Sequence, residues 1–166
     1  MNAKGRKAAA ILLAVTLTSA AGASLAASDS SFAGHYTTAS LSVQEQTAGN
    51  LLNSDRARYG LAPLVIDPEL CRIARIKSQD MRDNQYFAHT SPTYGDVRSM
   101  LRRFGYAFTA SGENIAHHAT IEKAQAAFLS SPGHRRNIMN GTYTKVGMGA
   151  AIDAQGYVYL TQIFVR

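Results

Sequence analysis

Cysteine is nearly absent: Cys71 is the only one in 166 residues. One thiol excludes an internal disulfide, so any folded domain here has to be held by its core. No C-x-x-C pair and no Cys/His spacing suited to structural zinc occurs. Cys71 stands in the apolar-rich segment Leu70-Cys71-Arg72-Ile73-Ala74, which predicts a buried small hydrophobe and not a reactive thiol. The G-x-S-x-G elbow of serine hydrolases is missing too. A serine triad would therefore have to recruit Ser91, Ser111 or Ser131 without that turn, and the reading disfavours it. Clustered bases are scarce. Apart from Arg102-Arg103 and Arg135-Arg136 the cations are scattered, which argues against nucleic acid as a partner. No internal repeat of fixed period appears.

What is present begins with Lys4, Arg6 and Lys7, followed by an uncharged stretch from Ala8 to Ala27. Ala9 to Leu17 is strongly apolar, and small residues accumulate through Ser24-Leu25-Ala26. That is the pattern of a secretory signal peptide over residues 1–26, with cleavage expected after Ala26 and Ala23 as second choice. A membrane span wants ~20 predominantly apolar residues, and Thr16, Thr18, Ser19 and Gly22 dilute this run. The mature chain is thus expected to be exported, and not integral to a membrane. Removing Lys4, Arg6 and Lys7 takes 17 basic residues to 14 against the same 11 acidic ones, so net charge falls from +6 to +3. Residues 27–41, rich in Ser, Ala and Thr and containing His35, read as a flexible tether. Residues 42–166 are one domain's worth of chain.

Within that domain, Ser42-Val43-Gln44-Glu45 has the capping-box pattern and predicts a helix to about Tyr59, stopped by Gly60. Asp67-Pro68-Glu69 predicts a second helix start, with Leu70, Ile73, Ala74 and Met81 as its apolar face to about Asn84. Val97, Met100, Leu101 and Phe104 mark a third, ended by Gly105. Residues 106–118 read as extended. Thr120 caps a fourth helix, with Ile121, Ala124 and Phe128 inward and Pro132-Gly133 as its stop; residues 134–139 allow one more turn. Lys145–Ile152 and Tyr157–Val165 read as a hairpin around Asp153-Ala154-Gln155-Gly156. Gly147 and Gly149 leave one face of its first strand bare, for close packing or for a ligand. Helices and strands in this order predict an α+β domain.

Three residues carry candidate chemistry. His89 follows the second helix in Phe87-Ala88-His89-Thr90-Ser91-Pro92; His134 follows the Ser131-Pro132-Gly133 turn; Glu113 lies next to Gly112 in the extended stretch. An acid is disfavoured inside a strand, and if it points inward it needs a partner. The two histidines are natural partners. His117 shares the strand face of Glu113, with edge exposure as its expected role. Arg135 either rims the cleft or faces solvent.

The motifs Phe87-x-His89-Thr90-Ser91-Pro92, Gly112-Glu113-Asn114-Ile115-Ala116 and Ser131-Pro132-Gly133-His134-Arg135-x-Asn137-Ile138 resemble, in order, the bacterial branch of the CAP superfamily. That superfamily is named for cysteine-rich secretory proteins, antigen 5 and plant pathogenesis-related proteins. The resemblance runs from Asn53-x-x-Arg56 to Gln162-Ile163-Phe164 and includes the strand Val146-Gly147-Met148-Gly149. It implies a three-layer α-β-α sandwich with a central antiparallel sheet. It also implies a cleft holding His89, Glu113 and His134, in some members with a divalent metal. A second acid of other members would fall within Phe128-Leu129-Ser130-Ser131, where no carboxylate stands. The implied metal ligands are His89 and His134, with Glu113 as a third, and zinc is the preferred ion; Glu113 alternatively orients an imidazole. The thin machinery favours a non-enzymatic extracellular binding module over a metal-dependent hydrolase of peptides or cell-wall material. Sterol or lipid binding is a further alternative. The expected state is a secreted monomer with an extracellular or cell-envelope partner.

Overall fold

The computed structural model describes residues 40–166. The expected leader, residues 1–26, and the tether up to residue 39, with His35, lie outside the described residues.

The helices start where their caps demand. Ser42 Oγ accepts from the Glu45 N–H and Glu45 Oε2 accepts from the Ser42 N–H, a complete capping box that opens α1 (Val43–Arg58). Asp67 Oδ1 accepts from the N–H groups of Glu69 and Leu70 and, with Pro68 in the first turn, opens α2 (Pro68–Asp83). After β1 (Val65–Ile66), α3 (Val97–Arg103) and β2 (Ser111–His118) come α4 (Ile121–Ser130), α5 (Pro132–Ile138), β3 (Lys145–Ile152) and β4 (Val158–Val165).

The strand order is β1-β3-β4-β2, with β2–β4 and β3–β4 antiparallel. The expected antiparallel sheet is thus present in its three long strands. At one edge β1 adds a parallel pairing, Val65 with Lys145 and Ile66 with Val146. Two residues are too few to show an alternating pattern, so β1 is not legible in the sequence. The extended stretch begins at Ser111 and not at 106, because residues 104–106 terminate α3: the Tyr106 N–H reaches back to the Leu101 carbonyl. Pro132 opens α5 as well as closing α4, with Ser131 capping both helices.

Alternation along β4 separates two cores. Val158, Leu160 and Phe164 pack with Ala48 and Leu52 of α1, Ala124 and Phe128 of α4 and Ile138 of α5. Ile163 and Val165 pack with Leu70, Ile73 and Ala74 of α2 and Met100 and Leu101 of α3. The sheet therefore lies between two helical layers. Gly147 and Gly149 face α2. A Cβ on either would fall closer than 3.0 Å to backbone atoms of Leu70 or Ala74, so the bare face serves close packing.

Candidate functional site

Assembly of the site starts on α2. Lys77 lies on its inner stripe and is 0% exposed. Its Nζ donates to the carbonyls of Ala88 (2.8 Å) and His89 (3.1 Å) and to the Tyr86 hydroxyl (3.2 Å). One turn on, Asp80 accepts from the Tyr86 hydroxyl, from Ser91 Oγ at 2.7 Å and from Asn84 Nδ2 at 2.8 Å. Ser91 Oγ in turn accepts from the N–H groups of Thr93 and Tyr94. Burial pushes the Lys77 amine down, against the opposing pull of Glu113 and Asp80. A buried cation and a buried acid thus clamp both sides of the loop that presents His89.

His89 Nδ1 lies 2.7 Å from Glu113 Oε1. The carboxylate is nearly buried, with 3% side-chain exposure, whereas the imidazole is 58% exposed. Glu113 Oε2 is buried and has no hydrogen-bond partner among the described residues. His134, on α5, places its ring centroid 6.5 Å from that of His89. Phe128 of α4 packs edge-on against His134 at 5.1 Å. All three sequence candidates therefore meet at one cleft.

The backbone behind His134 is held from the other face of the sheet. Asn114 Nδ2 donates to the His134 carbonyl at 3.2 Å and to Gln162 Oε1 at 3.1 Å. Asn137 Nδ2 donates to Asn114 Oδ1 at 2.9 Å and to the Glu113 carbonyl at 3.2 Å. Gln162 Nε2 continues to Gln125 Oε1 on α4, and Gln125 Nε2 to Asp55 Oδ2 on α1, both at 2.8 Å. Gly112 makes room for this: a Cβ there would stand 2.6 Å from the Tyr143 hydroxyl and 2.9 Å from Asn137 Oδ1.

The two imidazoles are driven apart electrostatically. The hydrogen bond to Glu113 raises His89 above the ordinary histidine value, against partial desolvation. Burial, then the charge of His89, lowers His134. Stability from His89 is therefore fully present below about pH 6.5, the ordinary value, and is lost as pH rises through its raised value. His134 runs the other way: the domain loses stability as pH falls from the ordinary value through the lowered one. Between the two, one ring is charged and the other neutral. Ring-proton NMR should show two separated titrations, His89 above and His134 below the ordinary value, with Glu113→Gln bringing His89 down. Coincident midpoints in the unmodified protein would dissociate the pair.

A zinc ion in a catalytic site usually takes three protein ligands. Among the described residues, no group of three or more His, Cys, Asp or Glu side chains could hold a metal ion. Glu113 Oε1 is engaged with His89 and its Oε2 is buried, which leaves the two imidazoles as the open donors. As arranged, the donor set does not fit a three-ligand zinc centre.

The remaining candidates fall elsewhere. Ser91 Oγ is committed to Asp80, and no hydrogen bond joins a serine hydroxyl to either cleft imidazole among the described residues. Cys71 is buried, its thiol pushed up to about 11 mainly by burial. His117 is exposed at the sheet edge, paired with Asp153. The Arg135 guanidinium lies 4.8 Å over the Tyr59 ring at the end of α1. Asn114 and Asn137, which the sequence marks as residues that bond backbone and hold the loops, do so on the carbonyls of His134 and Glu113; Lys77, Asp80, Gln125 and Gln162 are missed. Their one signal is a polar residue on a helix position that apolar spacing marks as inward, as with Lys77 after Ile73 and Ala74.

The family model for CAP, the Cysteine-rich secretory protein family, matches residues 50–164. The Bacillus subtilis (strain 168) protein described as "Uncharacterized protein YkwD" is 45% identical over 111 residues, 66% of this chain and 43% of that protein. A crystal structure of an extracellular protein containing a SCP domain from Bacillus anthracis aligns with TM-score 0.69 and 36% identity, over 74% of this chain and 40% of that one. An outer surface protein from Borrelia burgdorferi aligns with TM-score 0.68 over 73% of this chain and 90% of its own; at 18% identity it shares the fold alone. The chain thus spans less than half the length of the two Bacillus proteins.

Proposed function

The chain belongs to the CAP, or cysteine-rich secretory protein, family, and from that premise we propose that it acts outside the cytoplasm as a binding module whose recognition site is the His89–Glu113–His134 cleft. The leader-like residues 1–26 and the extracellular character of the Bacillus anthracis relative support the location. No helix among the described residues is long and apolar enough to cross a membrane.

The observation that carries the reading is Glu113 Oε2, a buried oxygen without a donor on the carboxylate whose Oε1 holds the exposed His89 ring. An unsatisfied buried acceptor carries a desolvation cost of about 1–3 kcal/mol, more when charged, and a ligand bearing a donor would relieve it. His89 offers its free Nε2 edge and His134 a largely neutral ring beside it. Among the described residues no hydroxyl or thiol is hydrogen-bonded to either imidazole.

The test is incubation with soluble cell-wall fragments and peptides. Expected are displaced His89 and His134 ring signals without turnover, abolished by Glu113→Gln and indifferent to a chelator. Turnover that disappears in His134→Ala would replace binding with the second reading, hydrolysis. That reading draws its support from the divergent imidazoles, since titratable neighbours pushed apart suit acid/base work. A divalent cation would be held by the two imidazoles alone, with Glu113 orienting His89. Metal content equal in the unmodified protein and the His89→Ala/His134→Ala variant removes the cation from the account.

A further inference from the structure

A second cluster lies farther along β2, outside the His–Glu cleft. His117 and Tyr159 are cross-strand partners of β2 and β4, and their rings stack at 4.0 Å with an interplanar angle of 17°. The Tyr157 ring lies 5.5 Å from His117, and Phe87 lies 6.5 Å from His117 and 6.4 Å from Tyr159. Phe87 is 51% exposed and Tyr157 46%, two of the large apolar side chains this fold leaves most open. The His117 and Tyr159 rings line a cleft of about 450 Å³ together with Arg82, Asp83, Gln85, Asp153 and Gln155, and the Phe87 and Tyr157 rings stand beside that pair. We propose that this aromatic shelf binds a neutral oligosaccharide, the rings stacking on the C–H face of a pyranose and the flanking amides taking its hydroxyls.

Three observations select that ligand. The charged groups of the cleft are held by hydrogen bonds within the protein: Asp153 Oδ2 lies 2.8 Å from His117 Nε2, its Oδ1 accepts from the N–H groups of Gln155 and Tyr157, and Arg82 Nε donates to Asp83 at 2.7 Å. The side-chain amides of Gln85 and Gln155, by contrast, make no hydrogen bond to another described residue, and each amide offers donors and an acceptor together. Gln85 also holds a left-handed backbone, φ 51°, which glycine would adopt with less strain. A proline-rich peptide is disfavoured because it docks between parallel aromatic ridges, and the 4.0 Å stack of His117 on Tyr159 closes that slot. What remains is ring faces beside neutral hydrogen-bonding groups, the usual composition of a small-ligand site.

The shelf is independent of the imidazole cleft but continuous with it. Glu113 and His117 share one face of β2, four residues and ~13 Å apart, and Phe87 stands two residues before His89.

Saturation-transfer NMR on the full chain with cellotetraose, tetra-N-acetylchitotetraose and maltotetraose tests the proposal. At least one should receive saturation from the aromatic protons at its ring C–H positions. Phe87→Ala and Tyr157→Ala should each weaken binding by roughly tenfold, with unchanged melting temperatures because both rings are half exposed. His89→Ala should leave saccharide binding intact even if it abolishes binding at the imidazoles. Silence of all three saccharides, transfer that persists in both ring variants, loss in His89→Ala, or binding of a polyproline peptide in their place would overturn it.

Discussion

Replacing Gly149 with alanine is expected to lower the melting temperature by about 10 °C, a loss of about 3 kcal/mol. The added carbon would fall closer than 3.0 Å to the carbonyl carbon and oxygen of Ala74, which are backbone and cannot rotate away. Nor can α2 retreat easily. Ser78 Oγ on the same helix donates to the Gly149 carbonyl at 2.9 Å and accepts from the Thr161 hydroxyl at 2.8 Å, both buried. Moving the helix outward would break these bonds and open the core around Leu70, Ile73 and Ala74. Circular-dichroism melting checks this, with Gly133→Ala as the control, since nothing lies within 4 Å of a Cβ there. Equal melting of Gly149→Ala and the unmodified chain would mean that α2 is not seated on β3.

Lys77→Met should be comparably damaging and should also reach the cleft. Methionine keeps the apolar stem but leaves the Ala88 and His89 carbonyls and the Tyr86 hydroxyl without their donor, in a site that solvent does not reach. Hydrogen bonds to a charged group contribute about 1.5–3 kcal/mol each before compensation, so a net loss of about 3 kcal/mol by chemical denaturation is the expected result. The functional signature is distinct from the stability loss. Freed from its clamp, the loop holds His89 Nδ1 less firmly on Glu113, which lowers His89, while loss of the Lys77 charge raises it. The readout is therefore the His89 ring signals themselves, which should broaden or shift as the imidazole loses its fixed place. A variant that is as stable as the parent, with His89 unmoved, would refute the clamp.

These two positions also show what a sequence can and cannot disclose. The capped helix starts at Ser42 and Asp67 are legible because one or two side chains decide them locally. The cleft residues are legible because histidines and an acid stand in turn-rich motifs, and the chain does bring His89, Glu113 and His134 together. Their support is not, because inward stripes are recognised by apolar residues. On α1 the buried set is Glu45, Ala48, Gly49, Leu52, Asp55 and Arg56, half of it charged. Glu45 is satisfied by Arg75 of α2, and Arg56 by the carbonyls of Ala62, Ile138 and Asn140. Those partners lie up to 84 residues away, beyond any local pattern. The bare glycine face leaves two readings open for the same reason: its occupant, α2, is specified elsewhere in the chain.

The series of side-chain amides behind His134 has a polarity. Asn137 donates to Asn114, Asn114 to Gln162, Gln162 to Gln125, and Gln125 to Asp55. An amide presents a donor at one end and an acceptor at the other, so such a row can in principle run in either direction. A carboxylate can only accept. With Asp55 at its terminus, the row has a single permitted sense, and that sense points the Asn114 amide N–H groups toward the His134 carbonyl and Gln162. One acid on the first helix therefore acts as the reference that orients four amides, and through them the backbone of a cleft residue 79 positions away in the chain.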